Sequence, residues 1–216
     1  MLRARKEGMA EEKALIERLK EWLESDRPLR ATELTPEDEA RIRGFTFLSL
    51  KPLLVVLNLG EERAALGGDL GELAQVAERP KTAVVAVQGQ LEMEIARLDA
   101  EDRAAFMADL GISESALDRV IRKTYELLGL ISFFTVGEDE VRAWTIGDGT
   151  PAVKAAGVIH SDIERGFIRA EVIDSQDLLR LGSLAAARDA GLLRLEGKEY
   201  RIRDGEVVHY RFNVGK

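Results

Sequence analysis

Apolar residues in the first segment of the chain recur at helical spacing. In residues 9–24, "MAEEKALIERLKEWLE", Leu15, Leu19 and Leu23 fall every four positions, flanked by Ile16 and Trp22, and the other face is Glu and Lys. That spacing predicts an amphipathic helix packed on a partner helix, ended by "SDRP" at 25–28. "LTPEDEARIR" predicts a second helix, with Thr35 suited to the N-cap, Pro36 to the first helical position and Asp38 to the third. The pattern then changes period. Leu53, Leu54, Val55, Val56 and Leu57 are apolar without alternation, as in a parallel strand covered on both faces. "TAVVAV" at 82–87 repeats that texture.

Between these strands "GEERAALGGDLGE" reads as a loop and "LGELAQVAE" as a short helix. "GQLEMEIARL" follows as a helix. "DAEDRAAFMADLG" is a helix with Asp99 as N-cap and Gly111 past its end. "SALDRVIRKTYELLG" places Leu117, Val120, Ile121 and Leu128 on one side of a further helix. After Gly129 the apolar positions alternate, in "ISFFT", "EVRAWTI", "GFIRAEVI", "YRIR" and "VVHYRFNV", which predicts strands. "RDGE" at 203–206 predicts a hairpin turn, because Asp-Gly tolerates the positive φ angles of type I′. "SQDLLRLG" and "LAAARDAG" predict short helices between strands.

The pattern therefore divides the chain into a helical arm (1–43), an α/β segment (44–129) and a small mixed β domain (130–216). The fold class is α/β plus α+β. Two strands are few for an open parallel sheet, so 44–129 reads as half of a domain. Its apolar strands would leave an edge or face open, and the chain is expected to self-associate or to bind a partner there.

Charge and composition remove several classes. The chain has no cysteine, which excludes disulfides and thiolate metal sites. Two histidines, His160 and His209, leave little for a zinc site. No apolar run approaches the about 18 residues of a membrane span, and the charged N-terminus lacks a secretory apolar core. A soluble, cytoplasmic protein is expected, with neither a membrane nor DNA as partner. Net charge is −8, of which residues 131–216 carry −2, from 12 Lys/Arg against 14 Asp/Glu. Bulk charge does not predict nucleic-acid binding, and only a local basic patch in the C-terminal part is open to it.

Two strand ends carry candidate chemistry. Asn58-Leu59-Gly60-Glu61 follows the first strand. At the carboxyl end of a parallel strand an Asn amide can pair with a purine edge or brace a neighbouring loop, and the Glu61 carboxylate can accept from an exocyclic amine. The same residues also suit a plain turn. Gln88-Gly89-Gln90 follows the second strand, where glycine permits close backbone approach.

Other motifs fail on context. "GDGTPA" at 147–152 has dinucleotide-loop spacing but opens no long βαβ helix, and "GLLRLEGKEY" has five residues between its glycines and Glu199 in place of Ser/Thr. No G-x-x-x-x-G-K-[ST], G-x-S-x-G or H-E-x-x-H occurs. No catalytic residue and no metal ligand is assigned. His160 in "GVIHSD" is expected to end a strand and His209 to sit partly exposed on the last one. Asp162 and Glu164 read as loop charge first and as a binding surface second.

The run "FFTVGEDEVRAWTIGDGTPAVKAAGVIHSDIERGFIRAEVI" (133–173) closely resembles the C-terminal TGS domain of the YchF-type Obg-like ATPases, a branch of the Obg family of P-loop proteins. "LEGKEYRIRDGEVVHYRFNV" is similar to the end of that domain, "LDRVIRKTYELLGLISFF" to the helix leading into it, and "KPLLVVLNLGEE" to the family's base-recognition strand. The resemblance implies a C-terminal β-grasp (TGS) domain, a partial parallel-sheet nucleotide domain and part of an inserted helical arm. It implies that Asn58 and Glu61 contact adenine, that Leu59 lies beside the base, and that Gln88, Gly89 and Gln90 flank it. Gln88 stands where the family usually has Ser.

The intact family binds and hydrolyses ATP, with GTP a weaker ligand, and associates with ribosomes. The phosphate loop, the magnesium-binding switch and Asp-x-x-Gly of such proteins have no counterpart in these residues. Hydrolysis by this chain alone is therefore not expected, nucleotide binding is expected to be weak, and magnesium is expected only with the N-terminal part. The alternative is a non-enzymatic TGS-containing module that binds ribosome, RNA or a protein partner. Arg165, Arg169, Arg201, Arg203 and Arg211 are its candidate RNA surface, or else ordinary solvated charge.

Overall fold

The structure is a computed structural model that describes residues 2–60, 73–137 and 140–214, with side chains from residue 8 onward. It divides into two compact units, 1–127 and 128–216.

The first unit opens with helix α1 (Leu2–Glu24), longer than its periodic stretch. Helix α2 (Pro36–Ile42) carries the full capping box. The Thr35 hydroxyl accepts from the Asp38 backbone N–H, and the Asp38 carboxylate accepts from that of Thr35. Each helix lacks partners for its first backbone donors, and this reciprocal pair supplies them. Leu15 and Leu19 of α1 are buried against Leu29 and Ile42. Leu23 is exposed instead, because a strict spacing of four drifts around a helix of 3.6 residues per turn.

Strands β1 (Leu53–Asn58) and β2 (Thr82–Val87) pair in parallel, Leu53 against Thr82 through to Asn58 against Val87. The expectation of cover on both faces is corrected. Val85 is buried, but Leu53 and Val56 are exposed. Among the described residues this sheet has two strands, and a lone pair has too few neighbours to close both faces. Helix α3 (Leu73–Ala77) precedes β2, and residues 61–72, which include Glu61, lie outside the described residues. Helices α4 (Gly89–Arg97), α5 (Ala100–Asp109) and α6 (Ala116–Leu128) follow. The Asp99 carboxylate caps α5 by accepting from the backbone of Glu101 and Asp102. On α6, Leu117 and Ile121 are exposed.

The second unit is a five-stranded mixed sheet in the order β4-β3-β7-β5-β6. Its strands are β3 (Leu130–Val136), β4 (Val141–Gly147), β5 (Phe167–Asp174), β6 (Arg194–Glu196) and β7 (Glu206–Phe212). Neighbours run antiparallel except β3 with β7, which are parallel. Helix α7 (Ala152–Ile159) covers one face. Its Ala152, Ala155 and Ala156 are fully buried against Phe133, Ala170, Val172 and Val208, since alanines let helix and sheet approach closely. Helix α8 (Ser161–Arg165) follows at once. Helices α9 (Ser175–Leu181) and α10 (Leu184–Asp189) cover the other face around Ile173, Ala187 and Val207.

Three local expectations change. "YRIR" is no strand: its Arg201 makes one isolated bridge to Pro151, and the strand beside β5 is β6, "RLE". "RDGE" turns the chain without joining paired neighbours. Only Gly205 of the turn has positive φ, so the turn is not type I′, and the Glu206 N–H donates back to the Arg203 carbonyl. The turn is held from outside, because Ser132 of β3 donates its N–H to the Asp204 carboxylate and accepts from the Gly205 N–H. Finally, "GVIH" ends a helix rather than a strand. His160 caps α8, its Nδ1 accepting from the Asp162 N–H. His209 is exposed on β7 between buried Val208 and Tyr210.

Candidate functional site

The parallel register sets the carboxyl ends of β1 and β2 side by side, and hydrogen bonds tie them beyond the strands. Leu59 donates its N–H to the Val87 carbonyl at 2.8 Å. The Asn58 side-chain Oδ1 accepts from the Gly89 N–H at 2.9 Å. Gly89 begins α4, and a Cβ there would stand 3.1 Å from that oxygen and 3.3 Å from the Asn58 amide nitrogen. Glycine is therefore what lets the helix start close against the asparagine. The Asn58 side chain is exposed, and among the described residues its amide nitrogen has no recorded acceptor.

A cleft of about 320 Å³ adjoins this junction. Leu59, Val87, Leu91 and Ile112 supply its apolar walls, and Gln88, Glu92, Glu114 and Arg119 its polar ones. Glu92 accepts from the Ala116 N–H at the start of α6, and Glu114 pairs with Arg122. The Nε of Arg119 is buried without a hydrogen-bond partner among the described residues. The cleft thus combines an apolar wall, an amide, two committed carboxylates and an arginine. A larger cavity of about 480 Å³ beside α2 is lined by Ile42, Phe47 and Leu50 with the surface charges Glu39, Arg43 and Lys51. No strand-end residue reaches it, so size alone does not recommend it.

Asn58, Leu59, Gln88 and Gly89 thus come together. Gln90 does not join them, since its amide donates to Glu94 one turn along α4. Glu61 lies outside the described residues. Ile112, Glu114 and Arg119 are additions. They come from the start of α6 and the loop before it, and neither motif nor period in the sequence links them to β1.

In the second unit the five arginines are exposed but not equally free. Arg165 pairs with Asp162, and Arg211 with Glu171. Arg169 stands opposite Arg211 in the β5–β7 register. Arg203 lends its backbone N–H to Glu206, and Arg201 reaches toward Gly149.

Among the described residues of this unit two acidic side chains are buried, Glu171 and Glu206. Burial pushes the Glu171 carboxyl up, but hydrogen bonds and charge from Arg211 and Arg188 outweigh it and hold it below the ordinary glutamate range. Glu206 accepts from the Tyr200 hydroxyl at 2.6 Å and the Arg203 N–H at 2.9 Å, and it pairs with Arg194. Burial, together with the Glu206 charge, pushes the Tyr200 phenol up. Among the described residues no cluster of acids and histidines could hold a metal, and no helix is long and apolar enough to cross a membrane.

An α/β unit with a parallel strand pair tied at its ends, followed in sequence by a mixed-sheet unit, is the class these features define. Residues 130–213 match the family model YchF-GTPase_C, described as "Protein of unknown function (DUF933)". The ribosome-binding ATPase YchF of Bacillus subtilis is 45% identical over 203 residues, covering 93% of this chain and 56% of that protein. The ribosome-binding ATPase YchF of Escherichia coli O157:H7 is 42% identical, covering 94% and 56%. The solved YchF GTPase of Schizosaccharomyces pombe superposes with a TM-score of 0.77 at 31% identity, over 94% of this chain and 55% of that one. The chain is similar to these YchF proteins over nearly all of its own length, and it spans about half the length of the curated relatives it matches.

Proposed function

We propose that these residues form the base-reading side of a purine-nucleotide site, together with a C-terminal TGS domain of β-grasp type, in a ribosome-associated protein that prefers ATP to GTP. The observation that carries the reading is the Asn58–Gly89 clamp beside the cleft at the ends of two parallel strands. It is an asparagine bracing the neighbouring strand-end loop where ligands of open α/β sheets bind. Kinship to proteins named ribosome-binding ATPases supports the nucleotide and the ribosome as partners.

Asn58 offers its amide donors, Leu59 and Gln88 flank the base, and Glu61 is assigned the exocyclic amine. The residues have no glycine-rich phosphate loop sequence. Affinity for ATP is therefore weak and hydrolysis by these 216 residues absent, because phosphate and magnesium contacts do most of that work. The exposed Leu53 and Val56 support self-association through the β1–β2 pair, which light scattering would contradict by showing a monodisperse monomer.

The test is a fluorescent-ATP titration of the chain with ATP and GTP as competitors. Saturable binding that ATP displaces better than GTP, and that Asn58→Ala weakens, upholds the reading. No binding at near-millimolar nucleotide refutes it. Co-sedimentation with ribosomes then tests the reading in which the TGS domain acts as a non-enzymatic module. That reading draws on Arg169 and Arg211, which lie side by side across β5 and β7.

A further inference from the structure

We propose that the apolar stripe of α6 is a docking face for a second polypeptide, namely the stretch of chain that the YchF relatives carry in addition to the part matched here. The inference does not depend on the nucleotide reading, and it concerns a different surface from the β1–β2 pair.

The first ground is a segment without a core. The arm and the second unit each have clusters of packed, buried apolar side chains, around Leu19 and Ile42 in the one and around Phe133 and Ile173 in the other. Among the described residues from β1 to the end of α6, the buried apolar side chains are Leu59, Val85, Ile95 and Ala116, and none of them belongs to such a cluster. Helix α5 buries no residue at all. A sheet and its helices hold together by burying their apolar faces against one another. Here the faces are formed but not covered.

The second ground is the stripe itself. Leu117, Ile121 and Leu128 are 67%, 47% and 50% exposed. Their spacing puts all three within about 40° of one line along the helix, over about 16 Å. Thr124 lies on the same line, and its hydroxyl donates to the Val120 carbonyl at 2.8 Å, which spends that donor within the helix. The other sides of α6 carry charge that is already paired, Arg122 with Glu114 and Lys123 with Glu126. An apolar line flanked by paired charges is the surface a helix presents to a packing partner.

The third ground decides the occupant. The Bacillus subtilis relative matches 93% of this chain with 56% of its own length, and the Schizosaccharomyces pombe structure superposes on 94% of this chain with 55% of its own. These relatives therefore carry nearly as much chain again beside the shared part. Folded proteins rarely leave a large apolar patch in water unless something binds there, and that additional chain is what the relatives have to cover it. A second copy of this chain fits less well. Two α6 stripes could cover each other, but the β1–β2 sheet would stay two strands wide.

The experiment co-expresses the whole chain with the rest of the Bacillus subtilis relative as a separate, tagged polypeptide. Association is read by tag capture and native mass spectrometry. Coverage of the stripe is read by thiol labelling, because the chain has no cysteine of its own. Leu117→Cys and Ile121→Cys each introduce a single thiol on the stripe, and Glu126→Cys, on the opposite side of α6, is the control. Far-ultraviolet circular dichroism checks the fold of each variant. The expected result is a one-to-one complex in which labelling at 117 and 121 slows by about tenfold or more while labelling at 126 does not. Ile121→Glu should weaken association by about tenfold or more, and Glu126→Ala should leave it unchanged.

A complex in which both stripe thiols stay as reactive as in the free chain overturns the assignment of this face. Thiols that become protected in the free chain as its concentration rises, with a dimer in the mass spectrum, put a second copy there and overturn the occupant. If the tagged polypeptide is soluble and captures nothing, the proposal falls. If it is insoluble, the labelling is repeated on the two polypeptides joined in the relative's own order, and unprotected stripe thiols overturn the proposal there.

Discussion

The Asn58 carboxamide oxygen and the Gly89 backbone N–H, 31 residues apart in the chain, meet at 2.9 Å and hold the ends of β1 and β2 together. The bond is exposed, so its net contribution is that of an ordinary hydrogen bond, about 1 kcal/mol. Asn58→Ala removes the acceptor. Gly89→Ala instead adds a Cβ only 3.1 Å from it and pushes the asparagine away. Each substitution should lower stability by about 1 kcal/mol, and the double variant should lose less than the sum, since both break one contact. Denaturant unfolding of the four proteins of this cycle measures it, and full additivity would show that the two residues act separately.

Glu171 predicts a loss of stability in acid. Its carboxylate lies between Arg188 and Arg211, with its pKa held below the ordinary value of 4.5. A group whose folded pKa is depressed stabilises the protein above its unfolded pKa, and the contribution disappears as pH falls through the folded value. Both arginines are more than half exposed, so screening keeps the effect modest, about 1 kcal/mol at low salt. Glu171→Gln should melt below the wild type at neutral pH, and the gap should close as pH drops below 4.5. A gap independent of pH would mean that the glutamine is penalised for its packing rather than its charge.

Removing Glu206 should cost more. It is almost fully buried, and Tyr200, Arg194 and the Arg203 backbone all donate to it. Glu206→Ala strands three donors and should destabilise the second unit by about 2–3 kcal/mol, in the range for hydrogen bonds to a charged group. Tyr200→Phe removes a single donor and should cost about 1 kcal/mol. Thermal unfolding followed by far-ultraviolet circular dichroism compares the two, and an equal loss from both would place the weight on the tyrosine.

Tyr210 predicts a change of the opposite sign. Its ring packs edge-on against Phe133 and Phe167, while its hydroxyl is buried without a partner among the described residues. Burial, aided by the charge of Glu206, pushes the phenol far above its ordinary range, so it stays protonated. Tyr210→Phe keeps the ring contacts and removes an unsatisfied polar group, and it should leave stability unchanged or raise it by about 1 kcal/mol. A lowered melting temperature would reveal a hydroxyl partner.

Much of this protein was determined by its sequence within short windows. The Thr35–Asp38 capping box, the Asp99 cap, the apolar runs of β1 and β2 and the alternation in β3, β4, β5 and β7 are read from neighbours a few residues apart, because helix and strand periods are local. Tertiary structure decided what lies across distance. It paired β3 with β7 in parallel, made "RLE" rather than "YRIR" the strand beside β5, and turned "RDGE" into a turn pinned by Ser132 instead of a hairpin. It also chose the Gly89 N–H as the partner of Asn58 and brought Arg119 to the cleft wall. Hydrogen-bond partners and cavity walls are set by which surfaces meet after folding, and residues far apart in the chain carry no local pattern that announces them.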